Sequence, residues 1–126
     1  MENNKISIRR NKMENNKISI MLCLPMTGVD TDVLNDNIEK YKKIIIEKYN
    51  DKEIDFLVNA EPDDDYIGKT FRKPHLYFMA RGISTLMPYA DYMAFAPDWE
   101  TSRGCRIEKY MADTYEIPTI MIGDFI

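Results

Sequence analysis

Residues 97 to 108, PDWETSRGCRIE, hold the side chains of this chain best suited to chemistry. A strand-like run at 92–96 (YMAFA) leads into a turn, and helical spacing starts near Thr101 or Ser102 and continues to about Tyr115. At about 100° per residue, Gly104, Cys105, Met111, Ala112 and Tyr115 fall within about 60° of Glu108, while Arg106, Lys109 and Asp113 take the far side. Glu108 is thereby placed in the middle of the apolar stripe. Burying an unpaired carboxylate is costly, so a chain keeps one there for a partner or for chemistry. Arg103 or Arg81 could be that partner, or the stripe could reach the surface at this point. Otherwise the carboxylate is a candidate nucleophile or proton carrier.

A helix starting at Ser102 presents free backbone N–H groups and the positive end of its dipole, and Gly104 permits close approach. That is a seat for a phosphate or a sugar hydroxyl, although Ser102 would serve as an N-cap in either case. Glu108 lies about 9 Å further along, at about 1.5 Å per residue. A ribose whose 5′ end rests near Ser102 would bring its anomeric carbon within reach of that carboxylate. One carboxylate so placed suits nucleophilic glycosyl chemistry, with a covalent glycosyl-enzyme formed and then released. Trp99 could stack on a base, or cap the core.

The elements that must position these residues follow from periodicity. Residues 18–24 (ISIMLCL) form a nearly continuous apolar run, as in a central parallel strand covered on both faces. Pro25, Met26, Thr27 and Gly28 break it. Asp30 or Thr31 caps the next helix, whose buried face is Leu34, Ile38, Tyr41, Ile45 and Tyr49. Residues 54–58 (IDFLV) read as a second strand. From 59 to 73 the chain is polar and turn-rich, and its Asp63-Asp64-Asp65 run reads as solvated loop rather than a cation site. A helix from His75 to Met87 puts Leu76, Met79, Ala80, Ile83 and Met87 on one side. Pro88 ends it, Asp91 opens a third strand, and residues 117–122 (IPTIMI) form a fourth. The order β-α-β-α-β-α-β predicts an α/β fold: a small three-layer sandwich with a parallel sheet, flavodoxin-like or Rossmann-like. Such folds bind ligands beyond the carboxyl ends of their strands. Residues 25–28, Asn59, and Asp98, Trp99, Ser102, Arg103 and Gly104 all follow strands, so they converge as substrate-binding candidates around Glu108.

Length and composition narrow the classes. A chain of 126 residues suggests one domain with a core that needs no staples. Net charge is −4, which argues against a broad grip on duplex nucleic acid, though a local pocket can be positive in an acidic protein. No apolar run approaches the roughly 18 to 20 residues needed to span a bilayer, and the start lacks a secretory apolar segment, so a cytoplasmic protein without a membrane partner is expected. Cys23 and Cys105 lack metal-ligand spacing and read as buried thiols; His75 is the only histidine, so neither a metal site nor a Ser-His-Asp triad is expected. MENNKISI occurs at 1–8 and again at 13–20. Residues 1–16 therefore read as a flexible, partly duplicated extension, from an upstream start, a local duplication or an engineered addition, ahead of one domain at 17–126.

The pair of motifs, PMTG at 25–28 after the first strand and PDWETSRGCRIE after the third, resembles the nucleoside 2-deoxyribosyltransferase-like superfamily, in particular its short bacterial and phage branch. The resemblance covers about residues 17 to 122. It implies a flavodoxin-like sheet, a catalytic glutamate at Glu108, and no cofactor. Ser102 and Gly104 are similar to the serine and glycine of deoxynucleoside 5′-monophosphate N-hydrolase relatives, where the serine helps hold the phosphate. Met26, Thr27 and Gly28 fall where the superfamily's first loop lines the sugar and phosphate pocket. The implied ligand is a small-molecule nucleoside or nucleotide, and the implied assembly a homodimer or larger, to which Tyr77, Phe78, Tyr89 and Tyr92 could contribute. Active relatives carry an aspartate, in the helix before the third strand, that assists the departing base; here that neighbourhood reads Arg81-Gly82-Ile83. Met21 or Leu22 replaces a first-strand aromatic, and Leu24 a glycine. A proton for the base would then come from Asp98, Glu100, solvent or a neighbouring subunit. The other expectation keeps the pocket without catalysis, in a protein that sequesters or senses a signalling nucleotide.

Overall fold

The computed structural model describes residues 17–60 and 65–126. The duplicated extension and Asp63-Asp64 lie outside the described residues. The elements are β1 (Lys17–Cys23), α1 (Thr31–Lys48), β2 (Glu53–Val58), α2 (Asp65–Thr70), α3 (Pro74–Thr85), β3 (Tyr92–Phe95), α4 (Arg103–Thr114) and β4 (Thr119–Met121), with 3-10 turns at Met87–Tyr89, Trp99–Thr101 and Ile122–Phe125.

The four strands form one parallel sheet in the order β2-β1-β3-β4. With β1 paired on both sides, its apolar run has a simple cause: alternate side chains meet helices on opposite faces. Ile20, Leu22 and Leu24 join Ala94, Ile120 and Ile122 against Ile38, Tyr41 and Ile45 of α1. Met21 and Cys23 join Met93 and Phe95 against Cys105 and Ala112 of α4. The result is the expected three-layer α/β sandwich. Each large apolar side chain fully buried in it contributes about 1.5–3 kcal/mol. No helix among the described residues is long and apolar enough to cross a membrane.

Local chemistry sets the boundaries. The Asp30 carboxylate caps α1 by accepting from the Asp32 N–H at 2.9 Å. Pro74 sits at the start of α3, where a missing N–H costs nothing. The end of α4 is a Schellman turn: the Ile117 N–H reaches the Ala112 carbonyl at 2.8 Å, with Glu116 in the left-handed region at φ 59°.

Three expectations are corrected. The stretch from 59 to 73 contains the short helix α2. The buried face of α3 is Phe78 and Gly82, with Met79 and Ile83 half-buried, whereas Leu76 is 63% exposed and Ala80 is also exposed. Gly82 explains this rotation, because a Cβ there would lie 2.5 Å from Asn59 Nδ2, so α3 approaches the end of β2 at its glycine. The fourth strand spans only Thr119–Met121: Ile117 is used by the Schellman turn, and Ile122 begins the closing 3-10 turn.

Candidate functional site

The strand register decides where the loops emerge. Leu22 pairs with Val58 and Cys23 with Phe95, so residues 24–28, Asn59 and residues 97–102 leave the same edge of the sheet. The chain departs from β1 toward β2 on one side and returns to β3 on the other, which opens a crevice above the β1/β3 boundary. An open cleft of about 870 Å³ lies there.

Glu108, in the second turn of α4, lines that cleft with 9% of its surface exposed. Among the described residues it makes no ion pair. Arg81 is occupied elsewhere, donating through Nε and Nη2 to Asn59 Oδ1 at 3.2 and 3.0 Å and through Nη2 to the Ala60 carbonyl at 2.8 Å. Arg103 is exposed and has no carboxylate partner among the described residues. Burial pushes the Glu108 carboxyl up from 4.5 to about 7, and a hydrogen bond from the Cys23 thiol pulls it partly back. Near neutral pH the group is thus divided between its protonated and ionised forms.

Its neighbours are the two buried thiols. Burial raises Cys23 well above its ordinary range, and the nearby charges of Glu108 and Cys105 add to the rise. Burial also pushes Cys105 up to about 12; the Ser102 hydroxyl pulls it down, and the charges of Glu108 and then Asp98 raise it further. Both sulfurs stay protonated and act as apolar packing with a weak donor.

The start of α4 forms another wall. Ser102 Oγ accepts from the Cys105 N–H at 3.3 Å, which makes it the helix cap, and it also lines the cleft. The preceding turn is tied by the Thr101 hydroxyl donating to the Asp98 carbonyl at 2.7 Å, and Asp98 also lines the cleft. Gly104 sits near α3, where a Cβ would lie 3.6 Å from Met79 Sδ, so the start of α4 meets a side chain from the second turn of α3.

Of the residues expected at the site, Pro25, Met26, Thr27, Asn59, Asp98, Ser102, Arg103, Gly104 and Glu108 line this one cleft. Gly28 and Trp99 do not. Gly28 takes φ 76° as third residue of a turn closed by the Val29 N–H on the Met26 carbonyl at 3.2 Å. That backbone is the type II turn that glycine favours, so Gly28 shapes the loop without facing the ligand space. Trp99 packs edge-on to Phe95 at 5.8 Å between ring centroids, with Lys109 over its face; it caps the core. Asn59 lines the cleft while its amide is engaged by α3, with Nδ2 donating to the Phe78 carbonyl at 2.8 Å and Oδ1 accepting from Arg81.

The cleft also includes residues that the sequence pattern did not single out: Arg72, Lys73, His75, Leu76 and Met79 from the approach to α3 and its first turns. Arg72 and Lys73 form a basic pair just ahead of Pro74, and only the topology reveals what they face. Tyr115, expected on the stripe with Glu108, is the exposed end of α4. Of the aromatics expected to support self-association, Phe78 is buried in α3 packing and Tyr77 stacks on Phe71 at 4.6 Å. No protein-family model, curated protein or solved structure matches the chain.

Proposed function

We propose that this protein binds a nucleoside or nucleotide in the cleft at the β1/β3 boundary and cleaves or exchanges its N-glycosidic bond, with Glu108 as nucleophile. One observation carries the reading: a carboxylate that is nine-tenths buried, without an ion-pair partner among the described residues, on the wall of an open cleft. An inward carboxylate without a cation destabilises the fold in its charged form, and a reaction that uses its lone pair accounts for its retention. The motif resemblance to nucleoside 2-deoxyribosyltransferase-like proteins supports the same assignment.

The chemistry is a double displacement. An ionised Glu108 oxygen attacks the anomeric carbon, and the carbon–nitrogen bond breaks with its electron pair moving to the base. The base takes a proton from Asp98, the other carboxylate lining the cleft, or from water. Water or a second base then attacks the same carbon and frees Glu108. The sugar's 5′ end lies toward Ser102, Arg103 and the α4 amides, where an anion meets the positive end of the helix. Incubation with deoxynucleoside monophosphates should release free base, and Glu108→Ala should abolish the release; unchanged release by the variant sinks the assignment.

A second reading rests on Arg81. In place of a carboxylate beside the base, α3 carries an arginine bound to Asn59 and Ala60. A protein that holds a nucleotide intact needs no such acid. Recovery of the unmodified nucleotide after denaturing the complex, with no base released over hours, selects this alternative.

A further inference from the structure

The proposed function gives Arg103 a role on the basic side of the cleft but leaves Arg72 and Lys73 without one. Arg72, Lys73 and Arg103 line it, and among the described residues none of the three has a carboxylate partner. Asp98 is the one exposed carboxylate of the lining. A chain of net charge −4 thus turns its sign around at one place. Side chains elsewhere on these helices are satisfied within the protein: Lys109 pairs with Asp113 at 2.8 Å, Arg106 donates to the Glu100 carbonyl at 2.8 Å, and Arg81 is held by Asn59.

The backbone adds to this field. Neither α3 nor α4 has an acidic residue in its first turn; α4 is capped only by the neutral Ser102 hydroxyl and α3 by no side chain, so no carboxylate within either first turn offsets the dipole beside the cations. By contrast α1, whose residues do not line the cleft, is capped by Asp30 and carries Asp32. Lys73, Pro74 and His75 line the same cleft as Ser102, Arg103 and Gly104, so the two helix starts share one mouth. Further along α4, Glu108 offers nothing to an anion, so the sugar belongs there and the charge belongs at the helix starts.

Building on the proposed nucleotide site, we infer that the ligand carries at least two phosphate groups. Arg103 and the α4 start take the phosphate nearer the sugar, and Arg72 and Lys73 take the next one. A single phosphate near Ser102 leaves the Arg72-Lys73 pair facing solvent, whereas a diphosphate chain extends along the mouth toward it. Charge-assisted contacts from guanidinium and ammonium to phosphate are the strong class of hydrogen bond.

The test is calorimetric titration of the wild-type chain, at an ionic strength of about 0.15 M, with the common deoxynucleosides and their 5′-mono- and diphosphates. For the base that binds best, the diphosphate should bind at least about tenfold more tightly than the monophosphate. In Arg72→Gln/Lys73→Gln that gain should shrink to about twofold or less while monophosphate affinity holds. Both side chains are exposed, so the variant's unliganded melting curve should match the wild type. Equal affinity for mono- and diphosphate, or equal weakening of both by the double substitution, overturns the inference and leaves the nucleotide site standing. Inorganic pyrophosphate binding as tightly as the nucleoside diphosphate overturns it in favour of a free-phosphate site. Failure of every nucleotide to bind removes the nucleotide reading itself.

Discussion

Replacing Glu108 with glutamine keeps the shape of the side chain and removes its charge, so the two proteins should differ in stability by an amount that depends on pH. In the unfolded chain the carboxyl titrates at its ordinary 4.5, and in the fold burial lifts it to about 7. Below the lower value both states hold the proton and the glutamate costs nothing extra. Between the two values the unfolded chain gives up its proton while the folded chain retains one, so stability falls by about 1.4 kcal/mol per pH unit as pH rises. Above about 7 both states are ionised and the loss levels off at about 3 kcal/mol. Glutamine escapes the whole penalty. Urea unfolding of the two proteins should therefore give curves less than about 1 kcal/mol apart near pH 5, and a variant more stable by about 3 kcal/mol near pH 8. With a slope of about 1–3 kcal/mol per molar urea, the midpoint at the higher pH should move up by about 1–3 M. Other titrating groups cancel in the difference between the two proteins. If glutamine instead lowers stability near pH 8, the carboxylate has a cationic partner in solution, and the argument for a retained, uncompensated charge collapses.

The same carboxyl governs the rate. With Glu108 as nucleophile, kcat/KM for base release should climb with pH and level off above about 7; a profile that falls through that region would make Glu108 a proton donor instead. Glu116 holds a left-handed backbone at the end of α4, so Glu116→Gly should stabilise the fold by about 1 kcal/mol and raise Tm by about 4 °C, measured by thermal unfolding. Cys23 and Cys105 are buried and held as thiols, so an aromatic disulfide reagent near pH 8 should label neither in the native protein and both after denaturation.

Much of the fold was legible because apolar spacing reports the number of covered faces. The unbroken run around Ile20 to Cys23 belongs to β1, which like β3 is paired on both sides and covered on both faces, and the stripe around Ile38, Tyr41 and Ile45 is the face α1 turns inward. Glu108 stood out by interrupting such a stripe. The misplaced features share another physical origin. Gly82 lies at the centre of the buried face of α3 but has no side chain to register as apolar, so the pattern pointed to Leu76 and Ala80 instead. Trp99 is equally at home against a base or against Phe95, and only the packing distinguishes them. Arg72 and Lys73 sit in a polar stretch where cations usually face water; their place on the cleft depends on α3 lying beside α4, which no local pattern encodes.

The contact between Gly82 and Asn59 limits how this protein can change. A carbon added at position 82 has to displace the Asn59 amide, which is in turn claimed by the Phe78 carbonyl and the Arg81 guanidinium. The two positions are therefore coupled, and replacement at 59 opens the way to replacement at 82. Any side chain that comes to occupy position 82 does so by giving up the amide that fastens this helix to the rim of the sheet.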